Sequence, residues 1–122
     1  MTQPSVEGRQ MMEDLATLSQ YGATAGGGVS RVAYSEPDLE AREWLDRQFG
    51  ELGLLVSRDQ AGNSICIRQG EDPALSPIAV GSHTDSVPDG GRYDGSLGVV
   101  AALACLRALD SARLRLRHAL AI

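Results

Sequence analysis

"GSHTDSVPDGGRYDGSLGVV" (81–100) is the stretch on which the reading of this sequence turns. An apolar run, Pro77-Ile78-Ala79-Val80, leads into one histidine, His83, and three aspartates, Asp85, Asp89 and Asp94, set among glycines. Like charges gathered this closely cost stability unless a cation or other partners absorb them. The apolar run has the length of a buried strand over 78–82. The almost wholly apolar 96–109 reads as a helix covered on most sides. Strand, charged loop and helix in that order form the unit of an α/β layer with parallel strands. Ligands in such sheets gather at the carboxyl ends of strands, and His83 stands at one.

Neutral imidazole and carboxylate are the usual ligands of zinc and similar divalent ions. His83 and Asp85 are two residues apart, so in extended chain their side chains point the same way. Two residues that close seldom both bind one ion. Asp85 is therefore expected to hold the second imidazole nitrogen and fix its tautomer. Asp94 follows the Gly90-Gly91 turn at the start of the helix, where it could approach the same ion or bridge two. A plainer alternative stays open on these residues alone, with His83 a strand-end histidine and the aspartates turn and cap residues. Asp89-Gly90-Gly91 is an ordinary turn, and Asp89 is assigned to it.

Working outward, Met11, Met12, Leu15 and Leu18 fall near one face of a helix over 9–20. "YGATAGGGVS" (21–30) is a glycine-rich loop; with no strand before it and no lysine after it, it does not make a phosphate loop. Ser35-Glu36-Pro37-Asp38 is a helix start, with a serine cap, proline in the first turn and early carboxylates. Ala41, Trp44, Leu45, Phe49 and Leu52 then recur at spacings of three and four, a core-facing stripe that Gly53 ends. Strands over 54–58 and 64–68 flank the turn "DQAGN" (59–63). At the other end, "HALAI" (118–122) reads as the start of another buried strand.

The 122 residues suit one ordinary domain, and a hydrophobic fraction of 43% suits a globular one. The net charge of −5 disfavours nucleic acid and anionic membrane surfaces as partners. All 11 basic residues are arginine, which excludes Schiff-base chemistry within this chain. Cys66 and Cys105 read as small buried hydrophobes rather than as a disulfide or a nucleophile. No signal peptide or bilayer-length apolar run is visible, so a cytoplasmic location is the expectation.

"GSHTDSVPDGGRYDGSLGVVAAL" (81–103) resembles the signature of the hydantoinase/carbamoylase group of dinuclear-metal amidohydrolases, relatives of aminoacylase and the zinc carboxypeptidases. "GGVSRVAYSEPDLEAREWL" (27–45) is similar to that group's N-terminal segment, and "DQAGN" to its following turn. The short interval from His83 to Asp94, with "GGRYDG" around the aspartate, separates this group from the aminoacylases and carboxypeptidases.

The resemblance implies a partial zinc-peptidase-like α/β catalytic domain, a mixed sheet with flanking helices. Residues 1–122 would be its N-terminal part, without the lid domain through which the full-length family dimerises. It further implies that His83 binds one metal ion, that Asp94 bridges two, and that Asp85 is the carboxylate behind His83. The ions would be zinc, manganese, cobalt or nickel. The implied reaction is hydrolysis of an amide or ureido C–N bond in small N-carbamoyl amino acids, with allantoate or a β-ureido acid as alternatives. The glutamate base and the remaining ligands have no counterpart in this sequence, and His118 matches no functional position. The chain alone is thus expected to be inactive. The rival from another class is a non-catalytic binding or structural remnant, with His83 free of metal.

Overall fold

A computed structural model describes residues 3–122. Helix α1 (Gly8–Leu18) turns Leu15 and Leu18 inward and leaves Met12 exposed. Helix α2 (Glu36–Glu51) buries Ala41, Leu45 and Phe49, with Trp44 and Leu52 partly covered against the same cluster. Strands β1 (Val56–Arg58) and β2 (Ser64–Arg68) form the expected hairpin. Its turn is held by Asp59, which accepts the backbone N–H groups of Ala61 and Asn63 and the Asn63 amide. Strand β3 (Ile78–Ala79), helix α3 (Ser96–Ser111) and strand β4 (Leu120–Ala121) complete the chain.

The sheet runs β1-β2-β4-β3. Only β3 and β4 are parallel; β2 pairs antiparallel with both β1 and β4. The sheet is therefore mixed, as the family resemblance implies, and not the parallel layer suggested by the order of elements. The "HALAI" segment supplies β4, an inner strand: Cys66 and Ile122 exchange both backbone hydrogen bonds at 2.9 Å, and Ile78 N–H reaches Ala119 O at 2.8 Å.

Four expectations need correction. The 78–82 run is not buried: only Ile78–Ala79 join the ladder, and Ile78 and Val80 are 48% and 46% exposed. The cause is position, since β3 is the sheet edge and has β4 on one side alone. Helix α3 is covered over only part of its surface, burying Val99, Val100, Leu103, Ala104, Leu106 and Ala108 while Leu97 and Cys105 are exposed. Cys66 is buried as expected; Cys105 is not. Finally, Ser35 occupies the N-cap of α2, but its hydroxyl makes no capping bond and is buried without a partner. Asp38 instead reaches back from the first turn and accepts the backbone N–H of Tyr34, ahead of the helix, at 2.9 Å.

One apolar cluster joins Leu15 and Leu18 of α1, Leu45 and Phe49 of α2, Cys66 of β2 and the inner face of α3. Each such side chain contributes roughly 1.5–3 kcal/mol on burial. Beside it, Arg107 of α3 pairs with the buried Asp14 carboxylate of α1 and donates to the Gln48 side chain of α2 at 2.6 Å. Three helices are thereby tied at one point.

Candidate active site

Beyond β3 the chain runs without regular structure from Val80 to Val87. It is held in place by the segment after the glycine loop. Ser86 N–H donates to Arg31 O at 2.7 Å, Arg31 N–H returns a bond to Ser86 Oγ at 2.9 Å, and Ser86 Oγ–H reaches Val29 O. The glycines have a packing reason. A Cβ on Gly28 would lie 2.5 Å from Asp89 Oδ1 and 3.0 Å from Gly90 O. The loop is a seat for the 86–90 turn. Asp89 belongs to that turn, as expected: its carboxylate accepts the Thr24 hydroxyl at 2.6 Å and its N–H donates to Ser30 Oγ.

The structure brings His83, Asp85 and Asp94 together. His83 Nδ1 faces two acceptors of Asp85, the backbone carbonyl at 3.1 Å and the carboxylate at 3.2 Å. Neutral imidazole placed so carries its proton on Nδ1, which leaves a lone pair on Nε2. On that side Asp94 Oδ2 lies 3.8 Å away. Two ligand bonds from one zinc ion reach about 4 Å end to end, so this pair can close on a single cation with the backbone as it stands. The Asp94 carboxylate is 80% exposed, with its oxygens free for further contacts. Among the described residues no group of three or more His, Cys, Asp or Glu side chains is arranged to hold an ion. What the chain presents at this point is two such groups, His83 and Asp94.

Asp94 is aimed by its neighbour. Gly95 has φ 71° and ψ −55°, and Ser96 N–H bonds back to Asp94 O at 2.8 Å. That is a γ-turn, a conformation strained for any side-chain-bearing residue. It turns the chain sharply from Asp94 into α3. His118 sits elsewhere, near the amino ends of β3 and β4, with Nδ1 donating to Ser76 O at 2.8 Å.

A cleft of about 390 Å³ opens beside His83 and Asp85 and reaches Arg42, Phe49 and Cys66. Cys66 on its wall is no nucleophile, because burial pushes its thiol pKa up, away from thiolate. Two residues that support the site escaped the sequence reading as functional. Arg31 donates its Nε–H to Thr84 O at 2.7 Å, and Asp38, wholly buried, accepts the Thr84 hydroxyl at 3.4 Å. Both grip the residue between His83 and Asp85. Asp38 also pairs with Arg42, whose NH1 holds Gly62 O of the hairpin turn at 2.5 Å. No periodicity or spacing signals such partners.

Strand, exposed histidine–aspartate pair and glycine-turned aspartate define a segment of the amidohydrolase fold. The amidase of the hydantoinase/carbamoylase family from Burkholderia ambifaria superposes with a TM-score of 0.95 at 35% identity, covering 99% of this chain and 30% of that one. The N-carbamoyl-L-amino-acid amidohydrolase of Paenarthrobacter aurescens is 40% identical over 109 residues, 89% of this chain and 26% of its own length. The allantoate amidohydrolase of Bacillus subtilis is 38% identical over 92 residues, 75% of this chain and 22% of its own. No protein-family model matches. The chain is a homologue of the hydantoinase/carbamoylase amidohydrolases and spans about a quarter of the length of the curated relatives it matches.

Proposed function

We propose that this chain is the N-terminal part of the catalytic domain of a metal-dependent amidohydrolase acting on non-peptide C–N bonds of small carbamoyl or ureido compounds, N-carbamoyl-L-amino acids first. The observation that carries the reading is the His83–Asp94 pair, 3.8 Å apart with Asp85 behind the far imidazole nitrogen, in a chain with these homologues. Allantoate is the second substrate, favoured by the 38% identity to the Bacillus subtilis enzyme. A cytoplasmic location and dimerisation through a separate lid domain belong to the same proposal. Among the described residues no helix is long and apolar enough to cross a membrane.

His83 Nε2 and Asp94 would hold the divalent ions, zinc, manganese, cobalt or nickel, with Asp94 shared between two. Bound there, such ions supply Lewis acidity at the scissile carbonyl and lower the pKa of water toward ~7. The chain's own residues do the positioning. Asp85 holds the proton of neutral His83 on Nδ1, which leaves the Nε2 lone pair turned toward Asp94. The exposed Asp94 carboxylate can bridge because none of its oxygens is committed to a close protein partner among the described residues. The cleft beside them, lined in part by Phe49 and Arg42, can accept a small substrate with an apolar end and an anionic one.

A chimaera tests this. The segment of the Paenarthrobacter aurescens enzyme that aligns with this chain is replaced by it, and metal-dependent ammonia release from N-carbamoyl-L-amino acids and allantoate is followed. The chimaera is expected to turn over. His83→Ala and Asp94→Ala should abolish turnover, and Asp85→Asn should lower it ~10–100-fold. An Asp94→Ala chimaera with unchanged turnover and metal content would overturn the assignment.

A further inference from the structure

Arg31 carries a charge into the interior. It is 2% exposed, and the four hydrogen bonds its guanidinium makes all go to carbonyls and a hydroxyl, none to a carboxylate. NH1 donates to Leu18 O at 2.6 Å and Tyr21 O at 2.9 Å, where α1 ends. Nε donates to Thr84 O at 2.7 Å, between His83 and Asp85. NH2 donates to Ser96 Oγ at 2.9 Å, on the first residue of α3 and just past Asp94. Burial lowers the Arg31 pKa, while the nearby Asp38 and Asp85 charges oppose that shift and partly compensate its desolvation.

A guanidinium is a planar fork with fixed angles between its N–H groups. Gripping Thr84 with one edge and Ser96 with another, it sets how far the strand-end segment lies from the helix start. Those two segments carry the two halves of the candidate site. An apolar residue here would leave the part-buried Tyr21 and Thr84 carbonyls without these donors and Leu18 O with the Tyr21 N–H alone.

We propose that Arg31 is a positioning residue of the site, whose guanidinium fixes the His83–Asp94 separation by holding Thr84 and Ser96 at once. It touches neither substrate nor ion. The functional side of this inference rests on the reading of His83 and Asp94 as a ligand pair; its geometric side does not.

The test compares the ¹⁵N-labelled chain with Arg31→Lys, which keeps the charge and loses the fork, and with Ser96→Ala, which removes one arm and leaves three guanidinium bonds in place. Core methyl signals of Leu103 and Leu106 report whether each variant is folded. Neutral His83 in the unaltered chain is expected as the Nδ1–H tautomer. In folded variants the tautomer should move toward the Nε2–H form that free imidazole prefers, and Zn²⁺ affinity in a chemical-shift titration should fall by about 10-fold. If Arg31→Lys does not fold, Ser96→Ala alone carries the comparison. A folded variant with unchanged tautomer and unchanged Zn²⁺ affinity overturns the proposal. Should the unaltered chain take up no Zn²⁺ at His83, the ligand-pair reading fails, and the tautomer then decides Arg31 by itself: shifted supports it, unshifted overturns it.

Discussion

The imidazole of His83 rests against the Cα of Gly95, so closely that a Cβ there would lie 2.5 Å from both Cε1 and Nδ1 and would also strike the His83 carbonyl. Positive φ and close approach meet at one residue, and both demand glycine. Gly95→Ala is therefore expected to destabilise the chain by about 1–3 kcal/mol. It should also push His83 off Asp85, which a His83 ¹⁵N spectrum would register as a change of tautomer. An unchanged denaturation midpoint with an unchanged His83 signal would contradict this packing.

Helix α3 carries leucines of very different burial. Leu103 is fully buried in the shared cluster, whereas Leu97, in the first turn, is 43% exposed. Leu103→Ala is expected to cost ~2–5 kcal/mol, through lost burial and the cavity left behind. Leu97→Ala should stay within about 0.5 kcal/mol. Urea denaturation of the two variants separates partial cover of the helix from the fuller burial its apolar sequence suggests. Equal losses would argue for the latter.

The hairpin turn offers a pH-dependent signal. Hydrogen bonds from the Asn63 side chain and backbone, and from Ala61 and Gly62, hold the Asp59 carboxyl below its ordinary value of 3.8. A depressed folded-state pKa means that this contribution is fully present above pH 3.8 and is lost as pH falls through the lower folded value. At neutral pH the turn is intact. A carboxyl ¹³C titration should give a midpoint under 3.8 for Asp59, and Asn63→Ala should return it toward that value. A midpoint at or above 3.8 in the unaltered chain would show the turn to be differently bonded.

The elements that could be read from the sequence are those with a local signature. The stripe Ala41, Leu45 and Phe49 is buried as its spacing predicts, and "DQAGN" makes the turn its residues favour. His83 falls just past β3 and meets Asp94, because a strand end and a helix start are both marked in the chain. The edge position of β3 was not legible. Which strands flank a given strand depends on sheet order, and two apolar β-residues look alike at an edge and at a centre. Arg31 was hidden for a related reason. Its partners are backbone carbonyls at Leu18, Tyr21 and Thr84, and every residue type carries a carbonyl. Ser35 shows a local rule overridden, since Asp38 already accepts a backbone N–H before the helix and serves Thr84 and Arg42 as well.

The 122-residue chain assayed by itself is expected to show no metal-dependent amidohydrolase turnover. His83 Nε2 and Asp94 offer at most two ligands, whereas zinc sites use three or four from protein, so any binding should be weak. No carboxylate among the described residues stands at the pair with the environment of a general base: Asp85 is turned to the Nδ1 side of His83. Lack of a general base alone removes typically ~10²–10⁴-fold in rate. The unpaired side of β3, with Ile78 and Val80 exposed beside it, also presents a sheet edge that other chains can join, so self-association should rise with concentration. Purified chain incubated with N-carbamoyl-L-amino acids or allantoate and zinc, manganese or cobalt should release no ammonia above the metal-only control. Release that a chelator abolishes, and that His83→Ala also abolishes, would mean that two ligands suffice here.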